Sequence, residues 1–118
     1  MTYITISDVL DKVLNVDQAT VDNANAFVDM LGAKYGVTQP IIGWKTKRLA
    51  VLKASVDTCL QYIGKDPIAT IDGQETDIYK IKLEAYKQEF NELLASVQKS
   101  DFDGVEPGAN MGIELVRA

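Results

Sequence analysis

The chain has 118 residues, 47% hydrophobic and 25% charged, and carries a net charge of −5. That is the size and composition of one globular domain, and it lacks the basic excess that a free-standing nucleic-acid binder normally shows, whose affinity comes largely from neutralised phosphates. With no histidine and one cysteine, Cys59, the chain is denied imidazole acid–base chemistry, Ser-His and Cys-His nucleophile pairs, an internal disulfide and a thiolate zinc site.

Residues Tyr3–Ile6 read as extended. Ser7 is then the expected N-cap of a short helix over 8–14, with Val9, Leu10, Val13 and Leu14 at helical spacing and Asp8 and Asp11 in its first turn. The spacing predicts a second helix over 18–35, capped by Asp17 and stopped by Gly36. Val21, Ala24, Phe27, Val28, Leu31 and Tyr35 form its apolar stripe. Pro40 and Gly43 break the connector 37–43. A third helix is expected over 44–63, its apolar face made of Leu49, Leu52, Val56, Cys59, Leu60 and Ile63. Ala50, Ala54 and Ser55 are small enough to let another helix approach.

Residues 65–76 are the longest internal break, where Ile68, Thr70 and Ile71 beside Asp72-Gly73 permit a small β excursion. The longest helix is expected over 75–98, with Tyr79, Leu83, Tyr86, Phe90, Leu93, Leu94 and Val97 at helical spacing. From Ser100 the glycines 104, 108 and 112 and Pro107 exclude a helix. The end, Met111–Val116, is apolar and alternating. The expected fold is all-α: a compact bundle of three to four helices over 1–99, followed by an extended C-terminal arm over 100–118. Such arms dock on their own domain or on a neighbour, and both options stay open here.

No apolar run reaches the roughly 20 residues of a membrane helix, and the opening MTYITISDVLDK lacks a signal-peptide pattern. No phosphate loop, nucleophile elbow or metal-ligand spacing is present, so the chain reads as a non-enzyme with no cofactor and no metal. Asp101-Phe102-Asp103-Gly104 lacks the remaining ligands of a calcium loop and reads as a turn. The distinctive cluster is Trp44, Lys45, Lys47 and Arg48, in a stretch that holds Lys53 and no acid. It suits an aromatic–cationic interface anchor or a stacking site for nucleic acid, and Trp44 equally suits closing a helix start over the core. With the arm residues Ile113, Leu115 and Val116, this cluster makes up the expected interface.

The order of these pieces resembles the head-to-tail connector (adaptor or head-completion) proteins of tailed bacteriophages. The likeness is carried by Tyr3, Ile4, Thr5 and Asp8 in YITISDV, by Tyr35 closing NANAFVDMLGAKYG, by Leu52, Asp57 and Tyr62 in the middle, and by Tyr79, Tyr86 and Leu93 in the late helix. It departs from the family at Gly32-Ala33-Lys34-Tyr35, where relatives carry an arginine before the tyrosine. The resemblance implies a structural virion protein at the head–tail interface, assembled in the host cytoplasm as a ring, commonly of twelve copies. Its implied partners are other copies of itself, the portal protein, a stopper or tail protein, and DNA passing through the channel without sequence-specific binding. No membrane is implied. The alternatives are a small helical protein-interaction or regulatory module and, behind it, a nucleic-acid-binding domain that uses Trp44 and the 45–53 basic segment.

Overall fold

Asp17 holds an extended backbone (φ −96°, ψ 169°), and its carboxylate accepts the Thr20 N–H at 2.8 Å, which starts helix α1, Gln18–Lys34. The structure, a computed structural model, describes residues 1–63, 68–71 and 74–105. Val21, Ala24, Val28 and Leu31 of the expected stripe are buried. At the C-terminus the Val37 N–H returns to the Gly32 carbonyl (2.9 Å) and the Gly36 N–H to that of Ala33 (3.0 Å), with Gly36 at φ 79°. This Schellman closure needs a residue free to adopt the left-handed region. It turns the connector so that Pro40 is buried directly on Gly32.

Helix α2, Trp44–Tyr62, begins where Gly43 donates its N–H to Thr46 Oγ1 (2.8 Å) and that hydroxyl donates to the Ile41 carbonyl (2.9 Å). α2 packs against α1 on one side and, on the other, against α3 (Ile78–Ser96). A helix between two others must bury more than one stripe. Leu49, Leu52, Val56 and Cys59 are accordingly buried together with Ala50, Ala54 and Ser55, the small residues that admit a close neighbour. Leu60, expected on this face, is exposed. Phe27 of α1 and Phe90 of α3 meet with ring centroids 5.6 Å apart, and Tyr62 and Tyr79 meet at 5.4 Å.

Between α2 and α3 runs an antiparallel hairpin of β1 (Ile68–Ile71) and β2 (Gln74–Asp77), in the register Ile68↔Asp77 and Ile71↔Gln74. Two residues, 72 and 73, separate the strands, the length that favours a tight hairpin. Because 74–77 are committed to pairing, α3 starts at Ile78 and not at 75. α3 presents one half-buried row of Leu83, Tyr86, Phe90, Leu93 and Leu94 to the core.

Two expectations are corrected. The helix over 8–14 does not form. Residues 6–8 make a single 3-10 turn, closed where Asp8 Oδ2 accepts the Thr5 N–H at 2.8 Å. Beyond it the chain runs irregularly, burying Val9, Leu14 and Val16 and leaving Leu10 82% exposed, a sequence of burial that no helix produces. Asn15, at φ 51°, turns the chain into Val16. At the other end a helix does form beyond Ser100: α4 (Ser100–Asp103) is short enough to end at Gly104 (φ 75°) and places Phe102 fully in the core. The helical class holds, with three long helices, one short one and a single hairpin among the described residues. Residues 106–118, most of the expected arm, lie outside them.

Candidate interface at Trp44

α4 folds back onto the loop that precedes α2. The Ile41 N–H donates to the Phe102 carbonyl at 2.7 Å, and the Phe102 ring stacks on Tyr35 with centroids 5.3 Å apart. Tyr35 donates its hydroxyl to the Val97 carbonyl at 3.4 Å. These contacts align Ile41, Trp44, Gly104 and Val105 as the walls of an open groove of about 250 Å³, with Gly43, Lys45, Ser100 and Asp101 completing it. The apolar walls face outward: Trp44 is 70% exposed, Ile41 42% and Val105 47%, with Ile42 beside them at 53%. Of the readings open for Trp44, closure of the helix start over the core is thereby removed.

The structure brings three of the four clustered residues into defined positions and separates their roles. Lys45 Nζ lies 5.7 Å from the Trp44 ring centroid and 3.1 Å from Asp101 Oδ2, so it rims the groove while anchoring α4. Asp101 also accepts the Gln98 N–H at 2.8 Å, and Asp103 Oδ1 accepts that of Val105 at 2.8 Å. Both carboxylates of the Asp-Phe-Asp-Gly stretch thus serve local capping. Arg48 points to α3, forking onto Glu89 with Nε–Oε2 and Nη2–Oε1 both 2.7 Å. This bidentate hydrogen bonding holds the Glu89 carboxyl below its ordinary range and raises the guanidinium. Lys53 pairs with Asp57 at 3.2 Å and lies 5.3 Å from the Phe27 ring centroid. Of the four basic residues in 43–53, only Lys47 is exposed and without an ion pair among the described residues. The stretch that contains no acid in sequence is therefore largely neutralised in space. Ile113, Leu115 and Val116 lie outside the described residues.

A second polar cluster had no sequence signal. Asp11 Oδ2 accepts from Lys82 Nζ (2.8 Å) and from the Tyr86 hydroxyl (2.5 Å), tying the irregular N-terminal stretch to α3. Burial pushes the Asp11 carboxyl up, but the hydrogen bonds from Lys82 and Tyr86 outweigh it and the net direction is down. Burial first, then the Asp11 carboxylate, drives the Tyr86 phenol upward. A shallow hollow of about 140 Å³ opens beside this cluster, lined by Asp8, Asp11, Arg48, Ser55 and Tyr86. Lys82 and Tyr86 stand one turn apart on α3, a visible spacing, whereas their acid partner lies 71 and 75 residues away.

No group of metal-ligating residues occurs among the described residues, and none of their helices is long and apolar enough to cross a membrane. Matches were sought among protein-family models, curated proteins and solved structures, and none was found in any of the three.

Proposed function

We propose that the chain is a structural subunit of the ring adaptor between the portal and the tail or stopper of a tailed bacteriophage. The observation that carries this reading is the outward-facing Trp44 surface. An exposed tryptophan flanked by aliphatic side chains and rimmed by Lys45 is the composition of an interface anchor. A ring requires two unlike faces on each copy. The outer side of α1 offers a contrasting one, with Asp22 and Met30 both exposed. The order of elements, from the YITISDV opening to the long late helix, supports the same assignment.

The nucleic-acid reading is weakened by the pairing of Lys45, Arg48 and Lys53 with Asp101, Glu89 and Asp57, which leaves Lys47 as the one unpaired cation of the 45–53 segment among the described residues. The deciding experiment is co-sedimentation of the purified chain with portal rings of the phage that encodes it. Binding is expected at a fixed number of copies per ring and lost in Trp44→Glu with helicity unchanged by circular dichroism. Failure to bind any portal, or steeply salt-dependent DNA binding abolished by Lys47→Glu, overturns the assignment.

A further inference from the structure

We propose that residues 6–14 form a two-state segment, irregular while Asp11 is latched to α3 and a continuous amphipathic helix once that latch is released. The device is independent of the adaptor assignment. Both ends of such a helix already exist. Asp8 Oδ2 accepts the Thr5 N–H at 2.8 Å, the closure of a helix start three residues after its cap. Asn15, directly after Leu14, sits at φ 51°, the left-handed position that follows a helix end. Between these ends stand two separate turns, closed by the Val9 N–H on the Ile6 carbonyl (3.1 Å) and the Leu14 N–H on the Asp11 carbonyl (3.2 Å). The break falls at Val9, whose ψ of 102° is extended.

The latch and the helix exclude each other. Val9 and Leu14 are buried, and the Asp11 side chain between them is 17% exposed, so all three turn inward. In a helix Val9, Leu10, Val13 and Leu14 share one stripe, and at about 100° per residue Asp11 lies roughly 130° from its middle. The carboxylate then loses the Lys82 ammonium and the Tyr86 hydroxyl, which it now holds at 2.8 and 2.5 Å. These charge-assisted bonds keep the two turns apart.

The span between the segment's anchors suits the helical state. Asn25 fixes Tyr3 and Ile4 beside α1, and Asp17 caps that helix eight residues earlier, about 12 Å along its axis. A helix over 6–14 is about 13 Å long, so neither anchor has to move. The two states present different surfaces. Latched, the segment leaves Leu10 82% and Val13 46% exposed. Helical, it turns both toward the side of Val9 and Leu14, where the hollow lined by Leu10, Val51 and Tyr86 is open. Whatever engages Lys82 or Tyr86 in place of Asp11 thus changes which apolar side chains a partner meets.

The experiment compares backbone carbon chemical shifts of the full natural chain with those of Lys82→Met/Tyr86→Phe, which removes the latch and leaves the segment's own sequence intact. The helical population of residues 9–13 is expected to rise roughly ten-fold or more, the bias that two charge-assisted bonds can hold. The shifts of α1 and α2 are expected to stay unchanged. A folded variant whose 9–13 shifts stay as they were, or move to coil values, overturns the proposal. If the variant does not fold, relaxation dispersion on the natural chain decides. Exchange at 9–13 toward helical shifts is expected there, from a minor state of roughly 0.1–10%. No exchange at these residues, or exchange toward coil shifts, then overturns the proposal as well.

Discussion

Asn25 completes the Ile4 backbone on both sides: its Oδ1 accepts the Ile4 N–H and its Nδ2 donates to the Ile4 carbonyl, each at 3.1 Å. The same Oδ1 takes the Tyr3 N–H at 2.9 Å. One side chain of α1 thus stands in for the missing neighbour of an extended segment in which Tyr3 and Ile4 are buried. Asn25→Ala leaves three buried backbone groups without partners, at about 1–3 kcal/mol for each unmet group. The expected loss is about 3 kcal/mol or more in urea unfolding, with rapid hydrogen exchange at Ile4. An unchanged urea midpoint would show that the N-terminal segment contributes nothing to stability.

The Asp11 clamp is expected to respond to acid. Its carboxyl titrates below the ordinary 3.8 in the folded chain. As the pH falls, the unfolded chain therefore takes up this proton first, and the stabilisation present above the ordinary value is lost as pH drops through the lowered one. Asp11→Asn is expected to lower the urea midpoint at pH 7, and its deficit relative to the natural chain is expected to shrink below about pH 4. A deficit constant from pH 7 to pH 3 would attribute the effect to shape alone.

Gly32 is required by contact and not by dihedral freedom. A Cβ built on it lies 2.4 Å from Pro40 Cγ and 3.3 Å from the Val37 carbonyl oxygen. Alanine ordinarily favours a helix interior over glycine by about 1 kcal/mol. Here overpacking against a rigid ring, at about 1–3 kcal/mol, reverses the sign. Gly32→Ala is expected to lower the melting temperature, whereas Ala33→Gly, at an exposed neighbouring position, costs only the propensity difference.

Thr58 carries a fault that one substitution removes. Its hydroxyl is buried on α2 and finds no hydrogen-bond partner among the described residues. Thr58→Val keeps the shape and deletes the unmet group, so stability is expected to rise by up to about 1 kcal/mol. Thr58→Ser keeps the hydroxyl and deletes a buried methyl, with an expected loss of about 1 kcal/mol. Chemical denaturation of both variants separates the two contributions, and a destabilised valine variant would refute the assignment.

The long helices were readable because each carries a 3.6-residue apolar period and a local stop or start: Asp17 and Gly36 around α1, Gly43 before α2. What was not readable depended on partners far along the chain. Val9, Leu10, Val13 and Leu14 fit helical spacing, yet Asp11 ties that irregular stretch to α3, and Asn25 of α1 fixes Tyr3 and Ile4 just ahead of it. Phe102 sits among glycines and acids that read as a turn, and its burial follows only once Tyr35 and Ile41 are in place. At the interface, Trp44 was identifiable by its type. The neutralisation of its neighbours was not, since Glu89 and Asp101 lie 41 and 56 residues from Arg48 and Lys45.

The bond from the Ile41 N–H to the Phe102 carbonyl also sets an order of events in synthesis. It closes a loop of 61 residues, and a ribosome adding 5–20 residues per second takes about 3–12 s to make that stretch. Throughout that interval Tyr35 and Ile41 present an unfinished apolar edge, while α1 and α2 are long enough to begin associating. The vulnerable species is therefore a nascent chain with its first two helices paired and its last one still unmade.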